Sequence, residues 1–293
     1  MKIYIAGCGG MLGSAFNKVF SDCELKCTDK DVNESWLEYL DFRDTKKYIA
    51  DVLDFNPDFL FHLGAMTDLE ECERLPHEAY QTNAMSVETA VHIANKLNIP
   101  LLYIGTGGVF DGKKEVYDDY DLPNPLGVYA RSKYAGERYI IEHCKKYFVC
   151  RAGWMFGGGN KDKKFVSKIL KQLIIENELY IVNNKAGTMT YTMDFAKNVK
   201  ELIKTDYYGL YNMVCKGSTN RVEIVNYILQ VLNLNKNLNI VDSEYFQRQG
   251  MFTAPRPNSE CLINRKLELR NLNHMRYWQD ALLDYLQNEG KDI

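Results

Sequence analysis

The sequence has no apolar run approaching the ~20 residues that a helix needs to span a bilayer, which excludes a helical membrane segment. It has no basic excess: 36 Lys and Arg face 39 Asp and Glu, for a net charge of −3. The basic face of a general nucleic-acid binder is therefore missing. It has no C-x-x-C pair. Its eight cysteines, at 8, 23, 27, 72, 144, 150, 215 and 261, are scattered. Scattering removes zinc fingers and disulfide scaffolds and reads as reduced, mostly buried thiols of a cytosolic protein, with no metal expected. No leader pattern precedes the first strand, since Met1-Lys2-Ile3-Tyr4-Ile5 runs straight into it, so a cytoplasmic location is expected. Repeats and low-complexity tracts are absent too. What remains is an ordinary globular composition, 46% hydrophobic and 26% charged over 293 residues, long enough for one large domain or two modest ones.

The first half alternates short apolar runs with helical spacing. Strands are expected at 2–6, 24–28, 59–63, 101–104 and 147–151, and helices at about 11–20, 43–55, 77–97 and 125–145. Continuous apolar strands in β-α alternation imply a parallel sheet covered on both faces. Right-handed crossovers make it an α/β, doubly wound Rossmann sheet. After Trp154 the rhythm loosens, with helices expected at 164–177, 194–204, 220–232 and 275–288 and strands at 179–183 and 209–215. The expected organisation is a dinucleotide-binding domain over 1–155. A smaller, interleaved C-terminal substrate-binding lobe over 156–293 returns some segments to the sheet.

Gly7-Cys8-Gly9-Gly10-Met11-Leu12-Gly13 stands between the first strand and the first helix. Glycines there permit a tight turn and close approach of backbone to a pyrophosphate, and the helix N-terminus offers unpaired N–H groups. The spacing is G-x-x-G-x-x-G, which alone could be a structural turn. Asp29 closes the second strand 22 residues after Gly7 and could accept from an adenosine ribose 2′-OH, or be a plain turn residue. Lys30 beside it could greet a 2′-phosphate instead, so NADH and NADPH both stay open. In Leu40-Asp41-Phe42-Arg43-Asp44, Asp41 and Phe42 could lie at the adenine edge, or the run could simply start a helix.

Tyr129-Ala130-Arg131-Ser132-Lys133 puts a phenol and an ammonium on one helix face. A phenol of ordinary pKa about 10 is a poor proton shuttle at neutral pH, and a neighbouring ammonium favours the phenolate. In a chain with 20 tyrosines such a pair usually marks a solvated face. Thr106, just after the strand at 101–104, adds a hydroxyl where doubly wound sheets build sites.

Together, Gly7/Gly10/Gly13, Thr106 and Tyr129/Lys133 resemble an extended short-chain dehydrogenase/reductase. The finer motifs resemble its dTDP-4-dehydrorhamnose reductase branch. These are Leu40 to Asp44, His62-Leu63-Gly64-Ala65-Met66-Thr67-Asp68-Leu69-Glu70, Val109 to Gly112, Pro125 to Tyr129, Arg151 to Trp154, and Pro255-Arg256-Pro257-Asn258-Ser259. The resemblance implies NAD(P)H-dependent reduction of the C4 ketone of a nucleotide-activated 4-keto-6-deoxy sugar, for deoxysugar or polysaccharide synthesis. It implies that Thr106 polarises the ketone, Tyr129 gives the proton, and Lys133 tunes Tyr129 and binds the nicotinamide ribose. Cofactor contacts are implied for Gly7, Gly10, Met11, Leu12, Gly13, Asp29, Lys30, Asp41, Phe42, Leu63, Gly64, Ala65, Thr67, Tyr129 and Lys133. Thr67, Leu69, Thr106 and Trp154 would meet the sugar, and Arg256, stiffened between two prolines, a phosphate. A homodimer is plausible from the family.

Two stretches depart from the family pattern. Gly105-Thr106-Gly107-Gly108 stands where Ser-Thr-Asp and a bulky residue are usual, which leaves no acidic side chain beside the hydroxyl. Asn184-Lys185-Ala186-Gly187-Thr188-Met189-Thr190 replaces Asp-Gln-x-Gly-x-Pro-Thr. Both lie toward the substrate. Epimerisation or dehydration of a nucleotide sugar is one alternative; a dehydratase normally needs a carboxylate beside the Thr, and Gly107 argues against it. A non-catalytic, cofactor-binding regulatory subunit is the other alternative. His62 reads as a satisfied buried histidine, and Tyr117 to Asp121 as a solvated loop or the border of a substrate entry. Lys161-Asp162-Lys163-Lys164 reads as a solvated helix start or a diphosphate contact, and 233–239 as surface.

Overall fold

The computed structural model describes residues 1–290. Its strands are β1 Lys2–Ala6, β2 Glu24–Asp29, β3 Leu37–Tyr39, β4 Phe59–His62, β5 Leu101–Thr106, β6 Tyr147–Ala152, β7 Trp154–Phe156, β8 Glu178–Val182, β9 Ala186–Tyr191, β10 Gly209–Asn212, β11 Ser218–Asn220, β12 Asn237–Val241 and β13 Ser259–Glu260. Its helices are α1 Met11–Val19, α2 Thr45–Phe55, α3 Leu69–Arg74, α4 Pro76–Tyr80, α5 Ser86–Leu97, α6 Val128–His143, α7 Phe165–Ile175, α8 Thr192–Leu202, α9 Arg221–Leu232, α10 Ser243–Arg248, α11 Arg265–Leu269 and α12 Trp278–Asn288.

Seven strands form one parallel sheet in the order β10-β6-β5-β4-β1-β2-β3. This is the doubly wound sheet expected from the alternation. Both of its faces are covered. Along β1, Ile3 and Ile5 face a core with Phe16, Phe20 and Phe61, while Tyr4 and Ala6 face one with Tyr48, Leu60, Val91 and Leu101. That two-sided burial is why the strands read as unbroken apolar runs. The strand order reverses between β1 and β4, and ligands of such sheets bind outside the carboxyl ends at that point. Those ends carry Gly7, Asp29, Leu63-Gly64, Thr106 and Gly153-Trp154. Chain from beyond residue 156 returns here: β10 pairs β6, and α8 packs on α1.

A second sheet runs β11-β9-β13, with β7 parallel on β9. Through it Trp154 pairs with Met189 and Glu260 with Gly187, so residues more than a hundred apart reach one strand. β12 pairs with β8 in a separate two-stranded sheet, so the segment read as surface carries strand structure as well.

Other expectations need correction. The helix expected over 77–97 is interrupted by a π-helical turn, Gln81–Met85, which turns Asn83 into the core. Asp119, in the run read as a solvated loop, is buried and accepts from the backbone N–H of Asn212 and Lys266 at 2.6 and 3.1 Å, tying the loop to β10 and α11. Asp162, read as part of a solvated start, is buried and accepts from the N–H of Lys164 at 2.7 Å. Strand β9 was not expected, because it is buried almost throughout and shows no alternation. All eight cysteines are free, and only Cys23 is not buried. No helix among the described residues is long and apolar enough to cross a membrane.

His62 is buried as read. Ser86 spends its hydroxyl proton on the Thr82 carbonyl at 2.7 Å, so His62 Nε2–H donates to Ser86 Oγ, and Nδ1 accepts from the Tyr48 hydroxyl, both at 3.1 Å. The neutral ring is satisfied, and burial lowers its pKa from 6.5 to about 3. Between those values the unfolded chain binds a proton that the folded chain refuses, so stability falls as pH falls, by about 1.4 kcal/mol per pH unit. Urea unfolding of wild type and His62→Gln tests this. Wild type is expected to lose about 2 kcal/mol more than the variant between pH 7 and pH 5. Equal losses would refute it.

Candidate active site

Gly7 opens the loop after β1 with φ of +77°, where an L side chain is strained. A Cβ there would lie 2.2 Å from Gly64 Cα, because the loops after β1 and β4 touch backbone to backbone. Gly13 lets α1 pack on the loop, since a Cβ would meet the Cys8 carbonyl oxygen at 2.0 Å. At Gly10, by contrast, a Cβ would meet nothing within 4 Å. Gly10, exposed, begins α1 without a side-chain cap, so no side chain of the chain itself occupies the helix N-terminus. That uncapped cradle fits a pyrophosphate.

Asp29 is already engaged: its Oδ2 accepts from Gly9 N at 2.8 Å and its Oδ1 from Asp31 N at 3.0 Å. It braces the glycine loop from beneath the place expected of a ribose. Lys30 is exposed. Asp41 forms a forked pair with Arg43, at 2.9 and 2.5 Å, and this guanidinium holds its carboxyl below the usual range. Phe42 lies on Gly64, where a Cβ would strike its ring at 2.1 Å, and meets the edge of His62. Gly64 donates to the Ala6 carbonyl at 3.2 Å, and Leu63 to the same oxygen at 2.9 Å, leaving Ala65 to lead out of the sheet.

Tyr129 and Lys133 start α6, whose N-terminus faces the end of β5. Burial pushes the Tyr129 phenol up to about 12, opposed by the neighbouring Thr106 hydroxyl; the charge of Glu260 pushes it up further. The expected pull of Lys133 does not set this phenol; burial does. Lys133 is buried, its ammonium 4.0 Å from the centroid of the Tyr103 ring, and among the described residues no carboxylate pairs with it. Burial lowers it to about 7, with Glu137 opposing. A buried ammonium without a carboxylate partner fits a donor held for ribose hydroxyls.

Asn83, not foreseen from the sequence, fixes this helix. Its amide donates to Ser132 Oγ at 2.9 Å and to the Met66 carbonyl at 3.0 Å, and it accepts from Met66 N at 2.8 Å. A π turn inside a helix is a frequent mark of a functional position, and this one aims Asn83 at the Tyr129–Lys133 turn.

On β7, Trp154 donates its indole N–H to Glu260 Oε2 at 2.5 Å. The Arg221 guanidinium is sandwiched between the rings of Trp154 and Phe165, at 3.7 and 4.2 Å. Thr67 is held by Lys164 Nζ at 2.9 Å, and Leu69 opens α3 beside it. Arg256 is not free: it pairs with Glu70 at 2.7 Å and stacks on Phe252 at 4.4 Å. Lys185 reaches the Arg256 carbonyl at 3.1 Å and Asn258 at 2.8 Å.

The glycines flanking Thr106 acquire a reason here. A Cβ on Gly105 would meet Arg151 Cγ at 2.8 Å and Glu137 Oε2 at 3.1 Å; one on Gly107 would meet Leu262 Cδ1 at 3.1 Å. One on Gly108 would meet Glu260 Oε1 at 3.2 Å and Thr106 Oγ1 at 3.4 Å. The chain neighbours of Thr106 carry no acid, as read, yet a carboxylate from elsewhere, Glu260, comes near the same space. Glu260 arrives from β13, a strand that only the tertiary fold brings near.

Residues 1–290 match the RmlD substrate binding domain. The chain belongs to that family. Within the RmlD family it is 26% identical to the spore coat polysaccharide biosynthesis protein SpsK of Bacillus subtilis (strain 168), over 99% of this chain and 98% of that one. It is 27% identical to the dTDP-4-dehydrorhamnose reductase of Escherichia coli (strain K12), over 82% of each. The crystal structure of the dTDP-4-dehydrorhamnose reductase of Bacillus anthracis str. Ames, in complex with NADP, superposes with a TM-score of 0.90 at 26% identity, over 98% of both chains.

Proposed function

We propose that this RmlD-family chain is an NAD(P)H-dependent reductase of the C4 ketone of a nucleotide-activated 4-keto-6-deoxy sugar. Its relatives bear the name dTDP-4-dehydrorhamnose reductase, and a solved relative holds NADP. The observation that carries the reading is the meeting of Thr106, Tyr129 and Lys133 at the carboxyl end of β5, beside an uncapped glycine cradle at the reversal point of the sheet.

The cradle of Gly7, Gly10, Met11, Leu12 and Gly13 would hold the pyrophosphate, with Phe42, Leu63, Gly64 and Ala65 walling the cleft and Lys133 on the nicotinamide ribose. Bound there, the reduced nicotinamide supplies a hydride. Thr106 and Tyr129 hold the ketone oxygen between two hydroxyls. Tyr129, kept protonated by burial, gives its proton to that oxygen as the negative charge develops. The substrate lobe is proposed to lie mainly within 156–293, with Thr67, Leu69 and Trp154 reaching the sugar. Arg256 enters the proposal for phosphate only through its free edge, since Glu70 holds it. A cytoplasmic location, resting on the scattered reduced cysteines, and a homodimer, resting on the resemblance, belong to the same proposal.

The test is oxidation of NADH and of NADPH against dTDP-, CDP- and GDP-linked 4-keto-6-deoxy sugars. Turnover with one sugar is expected. Retained cofactor binding without oxidation of either cofactor across the panel would overturn the reductase and favour a regulatory subunit.

A further inference from the structure

Glu260 is a carboxylate that shares the space over residue 108 with the Thr106 hydroxyl, and reduction as described above has no use for it. Its position is built rather than incidental. β13 registers Glu260 against Gly187 of β9, and that glycine leaves room for the Trp154 ring, since a Cβ there would strike it at 2.5 Å. Trp154 then fixes one carboxylate oxygen through its indole N–H. The other oxygen is left pointing at the space over residue 108, the point that also lies 3.4 Å from Thr106 Oγ1. Gly108 keeps this space clear. A bulky residue there would displace the carboxylate.

A ketone held by Thr106 and Tyr129 has acidic C–H bonds on the two carbons flanking the carbonyl. The carboxylate shares with the Thr106 hydroxyl the space over residue 108, the side from which a carbon flanking that ketone would be approached. Resting on the reductase reading for the ketone's position, we propose that Glu260 is a catalytic base for the carbon next to the ketone, so that the site enolises its 4-keto sugar as well as reducing it. In that step Glu260 takes the proton from the flanking carbon. The C–H electron pair becomes the new C=C bond, the carbonyl π pair moves to oxygen, and the oxygen takes the Tyr129 proton. Reversal returns a proton from Glu260 to carbon and one from oxygen to Tyr129. No oxidant or reductant is consumed. Glu260 is partly exposed, so its proton exchanges with water between steps. Burial raises its pKa, against Trp154, Arg221, Arg256 and Lys185, which makes it a stronger base than a solvated carboxylate.

The experiment incubates the protein, NADP⁺ and the dTDP-4-keto-6-deoxy sugar in D₂O, with no reduced cofactor to consume the ketone, and follows deuterium in the sugar by mass. Reduction of the same sugar by NADPH is measured alongside. Exchange at least tenfold above the protein-free rate is expected, falling to that rate in Glu260→Gln and persisting in part in Glu260→Asp. Affinity for NADPH, in whose proposed cradle Glu260 has no part, shows that each variant is folded. Reduction without exchange would overturn the base and leave the reductase standing. Equal exchange in Glu260→Gln would also overturn it. Exchange without reduction would uphold the base and overturn the reductase, and neither activity would overturn both.

Discussion

Tyr129→Phe is expected to lower turnover of the keto sugar by about 10²–10⁴-fold, the usual worth of one positioned proton donor. The substitution removes one oxygen and leaves the ring, which packs against the cluster of Cys72, Ala79 and Val128, so the N-terminal turn of α6 keeps its place. Affinity for NADPH is expected to stay near the wild-type value, because Lys133 and the glycine cradle are untouched. The loss belongs in kcat, since the proton is needed only as the ketone oxygen becomes negative. The buried phenol, near 12, stays protonated across the physiological range, so the wild-type rate is not expected to show a Tyr129 titration below pH 9. Steady-state kinetics with both proteins decide the matter. Turnover within a few-fold of wild type would remove Tyr129 from the reaction.

Much of this site was visible in the linear chain because strands of a doubly wound sheet end on their functional loops. An apolar run followed by Gly7, Asp29, Gly64, Thr106 or Trp154 therefore marks its own position. Helical spacing likewise put Tyr129 and Lys133 on one face. What stayed hidden came from long-range pairing. β13 is two residues long and carries no pattern, so nothing local announces that Glu260 meets Thr106. Gly105, Gly107 and Gly108 read as losses, yet each leaves space filled by side chains from elsewhere: Arg151 and Glu137, Leu262, and Glu260. Asp119 looked like one of several solvated carboxylates, and only the approach of β10 and α11 explains its burial. Asn83 had a signal that could be read, a polar residue on the inward side of an amphipathic helix, but its partners Met66 and Ser132 lie on other elements. Asp29 shows the reverse case. Its position was legible, while its hold on the Gly9 N–H depends on how the loop folds back over β2.

The second large effect concerns what holds α6 against the sheet. Tyr129, Lys133 and Glu137 recur at four-residue spacing on one stripe of the helix, and the last is the anchor. Glu137 accepts from Arg151 Nε at 3.0 Å and from Nη2 at 2.5 Å in a forked pair, with side chains only 1% and 3% exposed. Gly105 leaves room for this pair beneath the residue that precedes Thr106. Arg151 Nη1 already lacks a partner, so the guanidinium depends on Glu137 for its charge compensation. Glu137→Gln leaves a buried cation facing a neutral amide and is expected to cost about 3–5 kcal/mol, because breaking one side of a buried pair strands the other. For a chain of this size that is roughly a 10 °C fall in unfolding midpoint. The double variant Glu137→Leu with Arg151→Met removes both charges and is expected to recover most of the loss, since well-packed apolar replacements of buried pairs are often neutral. Urea unfolding of the three proteins separates the cases. A single variant within 1 kcal/mol of wild type would mean that water or a shifted side chain compensates Arg151. A double variant as unstable as the single one would mean that packing, not charge, is what the pair supplies under the catalytic strand.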